Sequence, residues 1–237
     1  MSRIPVLEVF GPTIQGEGMV IGRKTMFVRT AGCDYRCVWC DSKFTWDGSE
    51  RARLLTPEAV WAELVALGGR RFNHVTISGG NPALIREPMA DLIRLLHERG
   101  IRVGLETQGS VWQPWFLEID DLTLSPKPPS SQMTTNWDAL DDMVGRLRAG
   151  EVNFSFKIPV FDEEDLAYAR RVHRRWPDVA LYLSVGNPDP AAPGDVAKTL
   201  LSRLAWLVDR VVRDEELVAV RVLPQLHTLL WGNCRGV

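Results

Sequence analysis

With 237 residues, of which 45% are hydrophobic and 24% charged, the chain has an ordinary globular composition and the length of one large α/β domain. A formal net charge of −2 gives no electrostatic reason to expect nucleic acid or an anionic membrane as the main partner, so a small-molecule ligand is expected. The first apolar run contains Glu8 and no small-residue cleavage pattern, and no stretch reaches the ~18 apolar residues of a membrane span, which predicts a cytoplasmic protein with no membrane partner. Residues 25–30, rich in β-branched and aromatic side chains, then predict a strand that leads straight into a loop bearing three cysteines.

Thr56-Pro57-Glu58 supplies a capping residue, a proline at the first helical position and an acid in the first turn. Val60, Trp61, Leu64 and Leu67 recur behind it at helical spacing, and Gly68-Gly69 ends the helix. A strand over 75–78 runs into Gly79-Gly80-Asn81, a helix over 89–98 closes at Gly100, and a strand follows at 102–105. Strands at 121–125, 154–160, 180–185 and 218–223 then alternate with helices at 137–147, 163–175 and from about Asp195 to Val212. Strands separated by helices of this length imply parallel βαβ units with right-handed crossovers. The expected architecture is α/β: a single domain over 1–237, a partial (βα)-barrel with a mostly parallel sheet. In such a barrel the active site lies at the carboxyl ends of the strands. The cysteine loop, Gly79-Gly80-Asn81, residues 106–108 and residues 125–127 all follow predicted strands, so they should surround one mouth.

Cys33, Cys37 and Cys40 fall within eight residues. A structural zinc site needs four ligands and usually draws them as two separated pairs, whereas an iron–sulfur cubane can be held by three thiolates with one iron open. None of His74, His97, His173 and His227 lies close by in sequence, so the compact triplet favours a cluster over a zinc knuckle completed by histidine or three unconnected thiols. Cys234 reads as a free thiol. Gly79-Gly80 allows close approach of backbone to a ligand, with an ordinary strand-end turn as the alternative. Thr76 and Ser78 put their hydroxyls on one side of their strand. Arg29, inside an apolar strand, needs an anion: either a substrate carboxylate or a structural partner such as Glu8.

The triplet, with Trp39 before its last cysteine, resembles the signature of the radical S-adenosylmethionine (SAM) superfamily. Gln15-Gly16-Glu17-Gly18, Ser125-Pro126-Lys127 and residues 223–227 narrow the resemblance to the 7-carboxy-7-deazaguanine synthases, over nearly the whole chain. That resemblance implies a carbon–nitrogen lyase of queuosine biosynthesis, converting 6-carboxy-5,6,7,8-tetrahydropterin to 7-carboxy-7-deazaguanine with release of ammonia. It implies a [4Fe–4S] cluster on Cys33, Cys37 and Cys40, and SAM on Trp39, Cys40, Asp41, Ser78, Gly80, Asn81, Ser125, Pro126 and Lys127. Asn81 stands where most of the superfamily has glutamate, so its amide oxygen would accept from the SAM amino group without charge assistance. Ser42 would offer its hydroxyl to Mg²⁺, with helix capping as its plain alternative. Ile14, Gln15, Gly16, Glu17, Arg29, Thr76 and the terminal carboxylate of Val237 would meet the pterin, with Glu106 a further candidate. The implied partners are the pterin, an electron donor such as flavodoxin or ferredoxin, and a second copy in a homodimer. Two rival readings are a radical SAM activase or peptide-modifying enzyme, for which four cysteines are too few to build a second cubane, and a non-catalytic zinc-binding interaction module.

Overall fold

The structure is a computed structural model that describes residues 3–190 and 196–237. Strand β1 (Ile4–Ile14) pairs antiparallel with β2 (Lys24–Thr30), and the short β3 (Arg53–Leu55) lies antiparallel on the outer side of β1. From β2 onward the sheet is parallel through β4 (His74–Gly79), β5 (Arg102–Thr107), β6 (Asp121–Leu124), β7 (Phe154–Val160), β8 (Leu181–Val185) and β9 (Arg221–Leu223). The connections carry helices α1 (Pro57–Gly68), α2 (Glu87–Glu98), α3 (Trp137–Ala149), α4 (Glu163–Arg175) and α5 (Ala197–Val212), and a short α6 (Leu226–Trp231) follows β9. The order β3-β1-β2-β4-β5-β6-β7-β8-β9 leaves β3 and β9 as unpaired ends, so the barrel is partial, as expected. Among the described residues, no helix is long and apolar enough to cross a membrane.

The local signals act as anticipated for α1, where Thr56 accepts a capping hydrogen bond from the Ala59 amide and Gly69 (φ 56°) ends the helix. The expected start of the long fifth helix, Asp195, lies outside the described residues, and the helix is present from Ala197. The final strand is shorter than residues 218–223, because Val218 is exposed and only Arg221 to Leu223 find partners on β8. The amino-terminal apolar run is an eleven-residue strand that the sequence pattern alone does not signal, since two register irregularities interrupt its alternation.

The parallel strands alternate with a strict sense. Val75 and Ile77, Val103 and Leu105, Leu122 and Leu124, Phe156 and Ile158 belong to the buried hydrophobic core. Between them stand Thr76 and Ser78, Gly104 and Glu106, Thr123 and Ser125, Ser155 and Lys157. Side chains two apart share a face of a strand, and the register aligns the second set across the sheet: Thr76 with Gly104, Glu106 with Thr123, Thr123 with Ser155. Parallel strands covered by protein on both faces usually carry apolar residues on both. Here one face carries the apolar core and the other is polar, the composition of a barrel interior that holds a ligand.

Glycine at the end of β4 brings the next loop against the cysteine-bearing one. A Cβ on Gly80 would stand 2.0 Å from the Gly32 carbonyl oxygen, and that carbonyl accepts the Asn81 amide at 2.7 Å. Gly80→Ala therefore forces two backbones apart. We expect a loss of about 1–3 kcal/mol in chemical unfolding, typical of overpacking, together with reduced iron content after anaerobic reconstitution.

Candidate active site

A cavity of about 440 Å³ opens at the carboxyl ends of the parallel strands, within the usual range for a small-molecule site. Ser78, Glu106, Ser125, Lys157 and Ser184 line it from β4, β5, β7, β8 and the residue after β6. The connection after β2 contributes Cys33, Cys37 and Cys40, which are free thiols facing that one space.

The cysteine loop is held by its acidic neighbour. Asp34 Oδ1 accepts from Gln108 Nε2 at 2.6 Å and from Asn81 Nδ2 at 2.8 Å, which ties the loop to the ends of β5 and β4. Three N–H groups point at sulfur: the Tyr35 amide (3.4 Å) and Gln108 Nε2 (3.8 Å) at Cys33, and Trp46 Nε1 (3.5 Å) at Cys40. Burial pushes the free thiols of Cys33 and Cys40 above their ordinary value, and that of Cys37 up to about 11; repulsion adds to it, from Asp34 and Cys40 at Cys33, from Cys40 and Cys33 at Cys37, and from Asp41 at Cys40. Such sulfurs become thiolates through a bound cation. Among the described residues no three His, Cys, Asp or Glu side chains converge as a single metal ion requires. A cubane instead puts each thiolate on its own iron, so the three sulfurs of one loop with N–H donors around them suit a [4Fe–4S] cluster, while Cys234 lines the same cavity from the tail.

Trp39 is clamped. Its ring stacks on Phe161 with centroids 4.8 Å apart, and its Nε1 donates to Ser130 Oγ at 3.0 Å. Fully buried Asp165 accepts the amides of both Ser130 (3.0 Å) and Phe161 (2.9 Å), so a single carboxylate fixes the two loops that hold the indole. Asp41, Ser42, Gly80 and Lys127 also line the cavity, with Lys127 Nζ donating to Ser125 Oγ at 2.9 Å. Ser42 begins the turn Lys43–Thr45 without a side-chain capping bond; its hydroxyl donates to Asp41 Oδ1 at 2.9 Å.

Ile14, Gln15, Gly16 and Glu17 also line the cavity, as do Arg29 and Val237 at the chain end. Glycine is required at 16, because a Cβ there would meet His227 Nδ1 at 2.4 Å. The pattern of charges was not apparent from the sequence. Lys157 Nζ sits between Glu17 Oε2 (2.6 Å) and Glu106 Oε2 (3.0 Å), while Gln15 Nε2 donates to Glu106 Oε1 at 2.9 Å and Gln225 to Glu17 Oε1. Burial alone would raise the Glu17 carboxyl, but Lys157 and the His227 side chain hold it down to about 2. Burial would likewise lower the lysine, and Glu106 and Glu17 outweigh it, so Lys157 is a permanent cation. A lysine in the middle of an apolar strand is the signal that was available, since a buried ammonium requires carboxylate partners.

Three residues expected to meet a ligand do not line the cavity. Asn81 is fully buried and does not reach the cavity: its Oδ1 accepts from Thr107 Oγ1 (2.8 Å) and the Ala83 amide (3.2 Å), and its Nδ2 donates to Asp34 and Ser110. Both ends of the amide are spent inside the protein. Thr76 lies two residues deeper along β4 than Ser78 and meets Thr25 Oγ1 at 3.0 Å below the cavity floor. Pro126 is buried between two lining residues without lining the cavity itself. Arg29 does line it, but its Nη1 already donates to Glu8 Oε2 at 2.6 Å, so the protein itself supplies the anion expected of the ligand.

This arrangement belongs to a known class. Residues 27–183 match the family model of the Radical SAM superfamily. The chain is 55% identical over 241 residues to the 7-carboxy-7-deazaguanine synthase of Bacillus cereus, covering 100% of both chains. It is 58% identical over 240 residues to that of Bacillus subtilis, covering 99% of this chain and 98% of the other. The structure of QueE from Escherichia coli shares the fold, with a TM-score of 0.65 at 22% identity over 95% of each chain. The chain therefore belongs to the radical SAM superfamily and, within it, to the 7-carboxy-7-deazaguanine synthases. It is a radical SAM enzyme, and membership brings a [4Fe–4S] cluster and SAM as its cofactors; the zinc-module and peptide-modifying readings are set aside.

Two outcomes check the site. Alanine at Cys33, Cys37 or Cys40 should abolish the broad absorbance near 400 nm that a reconstituted cubane gives, while Cys234→Ala keeps full iron content. Lys157→Met leaves two buried carboxylates without their cation and should cost about 3–5 kcal/mol at neutral pH. In the wild type the Glu17 contribution is complete above its ordinary value of 4.5 and is lost as pH falls towards 2. In the variant, burial raises the Glu17 carboxyl instead, so the gap between the two proteins in urea unfolding should close progressively as pH falls from neutral towards 2.

Proposed function

We propose that this chain converts 6-carboxy-5,6,7,8-tetrahydropterin to 7-carboxy-7-deazaguanine with release of ammonia, serving 7-deazapurine and queuosine biosynthesis. The observation that carries this reading is one cavity lined by two sets of groups: three clustered cysteines with a clamped indole, and a ring of fixed charges and amides. Full-length similarity to two synthases named for that product supports it.

When bound, the cluster and SAM supply one-electron chemistry that yields a hydrogen-abstracting radical at the pterin. The protein's own work is placement. Cys33, Cys37 and Cys40 hold the cluster. Trp39, Cys40, Asp41, Ser78, Gly80, Ser125 and Lys127 form the SAM wall. Asn81 acts through Asp34, keeping the cysteine loop at the ends of β4 and β5. Ile14 to Glu17 and Glu106 present acceptors and donors to the flat, hydrogen-bonding edge of a pterin. Held down by Lys157, the Glu17 carboxyl stays ionised, ready to accept N–H groups, and Glu106 is paired with the same ammonium. Arg29 would exchange Glu8 for the substrate carboxylate. Mg²⁺ on Ser42 belongs to the proposal because that hydroxyl is not spent on a cap and hard cations prefer oxygen ligands. A one-electron donor of the flavodoxin or ferredoxin kind completes it.

Anaerobic turnover of the carboxytetrahydropterin by the reconstituted enzyme, with SAM and a reductant, should give a product of the mass of 7-carboxy-7-deazaguanine and one ammonia. SAM cleavage without that product would overturn the reading. That Val237 lines the cavity supports including the tail in the same site. Its terminal carboxylate is proposed to accept from the pterin, a charge-assisted bond worth about 1.5–3 kcal/mol. Appending residues after Val237 should raise KM for the pterin by roughly ten- to a hundredfold with SAM affinity unchanged.

A further inference from the structure

The last six residues carry one cation, Arg235, and it is engaged on every side. Its Nε donates to Glu8 Oε1, its Nη1 to Glu50 Oε1 and its Nη2 to Glu50 Oε2 at 2.8 Å. The guanidinium lies 3.5 Å from the centroid of the Phe44 ring. Phe44 in turn faces Arg29 (5.5 Å), Arg29 faces Phe10 (5.1 Å), and Phe10 stacks on Phe27 with centroids 4.8 Å apart and rings 4° from parallel. Aromatic rings and guanidinium groups thus alternate in a column from β1 and β2 out to the chain end. Glu8 crosslinks that column, because its second oxygen holds Arg29 at 2.6 Å. Directly after Arg235, Gly236 adopts φ 76°, which favours glycine, and Val237 then lines the cavity.

We propose that Arg235 is a positioning residue for the substrate site: a latch that seats the carboxy-terminal tail across the cavity by gripping Glu50, Glu8 and Phe44. The planar fork matches the two oxygens of Glu50, and its flat face suits the Phe44 ring. A lysine can keep one of these contacts but not all three. The consequence for catalysis rests on the proposed role of the Val237 carboxylate, whereas the latch itself does not.

The test uses the reconstituted holoenzyme and reads the tail directly, by release of Val237 to carboxypeptidase Y followed by mass spectrometry. Arg235→Ala should release Val237 about tenfold faster than wild type and raise KM for the pterin by about tenfold, as expected for one lost charge-assisted contact, with cluster absorbance and SAM affinity unchanged. Arg235→Lys should fall between the two. Glu50→Gln, an exposed change that leaves the fold intact, should move both readouts in the same direction. Unchanged Val237 release in Arg235→Ala, with the protein folded and loaded, would overturn the latch. Faster release with an unaltered KM supports the latch and counts against the terminal carboxylate as a substrate acceptor.

Discussion

A buried ammonium has to be paired, and that constraint organises the substrate side of this molecule. Lys157 stands on β7 inside the barrel with a side chain only 9% exposed, where an isolated charge would be intolerable. Its two partners come from distant parts of the chain: Glu106 from the end of β5 and Glu17 from the loop between β1 and β2. Satisfying the lysine therefore draws the amino-terminal loop over the barrel mouth. Gln15 and Gln225 then take the remaining oxygens of Glu106 and Glu17, so the charge cluster also fixes the start of α6. The same contacts that neutralise the charges arrange their free lone pairs and N–H groups around the cavity.

The cofactor side follows a different logic. Three cysteines separated by flexible loop would lose much entropy on gathering round a cluster. The loop is instead restrained before any metal arrives, through Asp34 on Asn81 and Gln108, and through Gly80 packed against Gly32. The departure from glutamate at position 81 is intelligible in these terms. An amide can donate to Asp34 and accept from Thr107 at once, which a carboxylate beside Asp34 could not do without repulsion.

Local signals in the sequence were enough for the alternation of strands and helices, the cysteine triplet and the loops around one mouth, because capping residues, glycine stops and apolar periodicity act over a few residues. What was not legible depended on long-range register. Glu8 lies directly across from Arg29, but only once two irregularities between β1 and β2 are known. Glu17 and Lys157 are 140 residues apart. Asn81 and Thr76 have suitable chemistry for ligands, and their internal partners could not be read from the sequence: Asn81 bonds the loop it supports, and Thr76 meets Thr25 two residues before Ser78. Lys157 itself was visible as an anomaly in an apolar strand, and reading it as such would have called for carboxylate partners without saying which.

The open side of the barrel connects these themes. β3 and β9 do not pair with each other, so among the described residues no backbone ladder joins the last strands to the first. The join is made by one backbone bond, side chains and the tail instead: the Leu226 amide on the Gly16 carbonyl (3.0 Å), Gln225 on Glu17, and Arg235 on Glu8 and Glu50. A closed ladder would be a fixed wall. Hydrogen bonds and ion pairs that are partly exposed are each worth little against water and can exchange one partner for another at small cost. Glu8 is the clearest case, since one carboxylate serves both Arg29 in the cavity and Arg235 in the tail. Under the proposed exchange of Glu8 for a substrate carboxylate at Arg29, Glu8 would be left wholly to Arg235, and occupation of the substrate side would strengthen the contact that holds the tail.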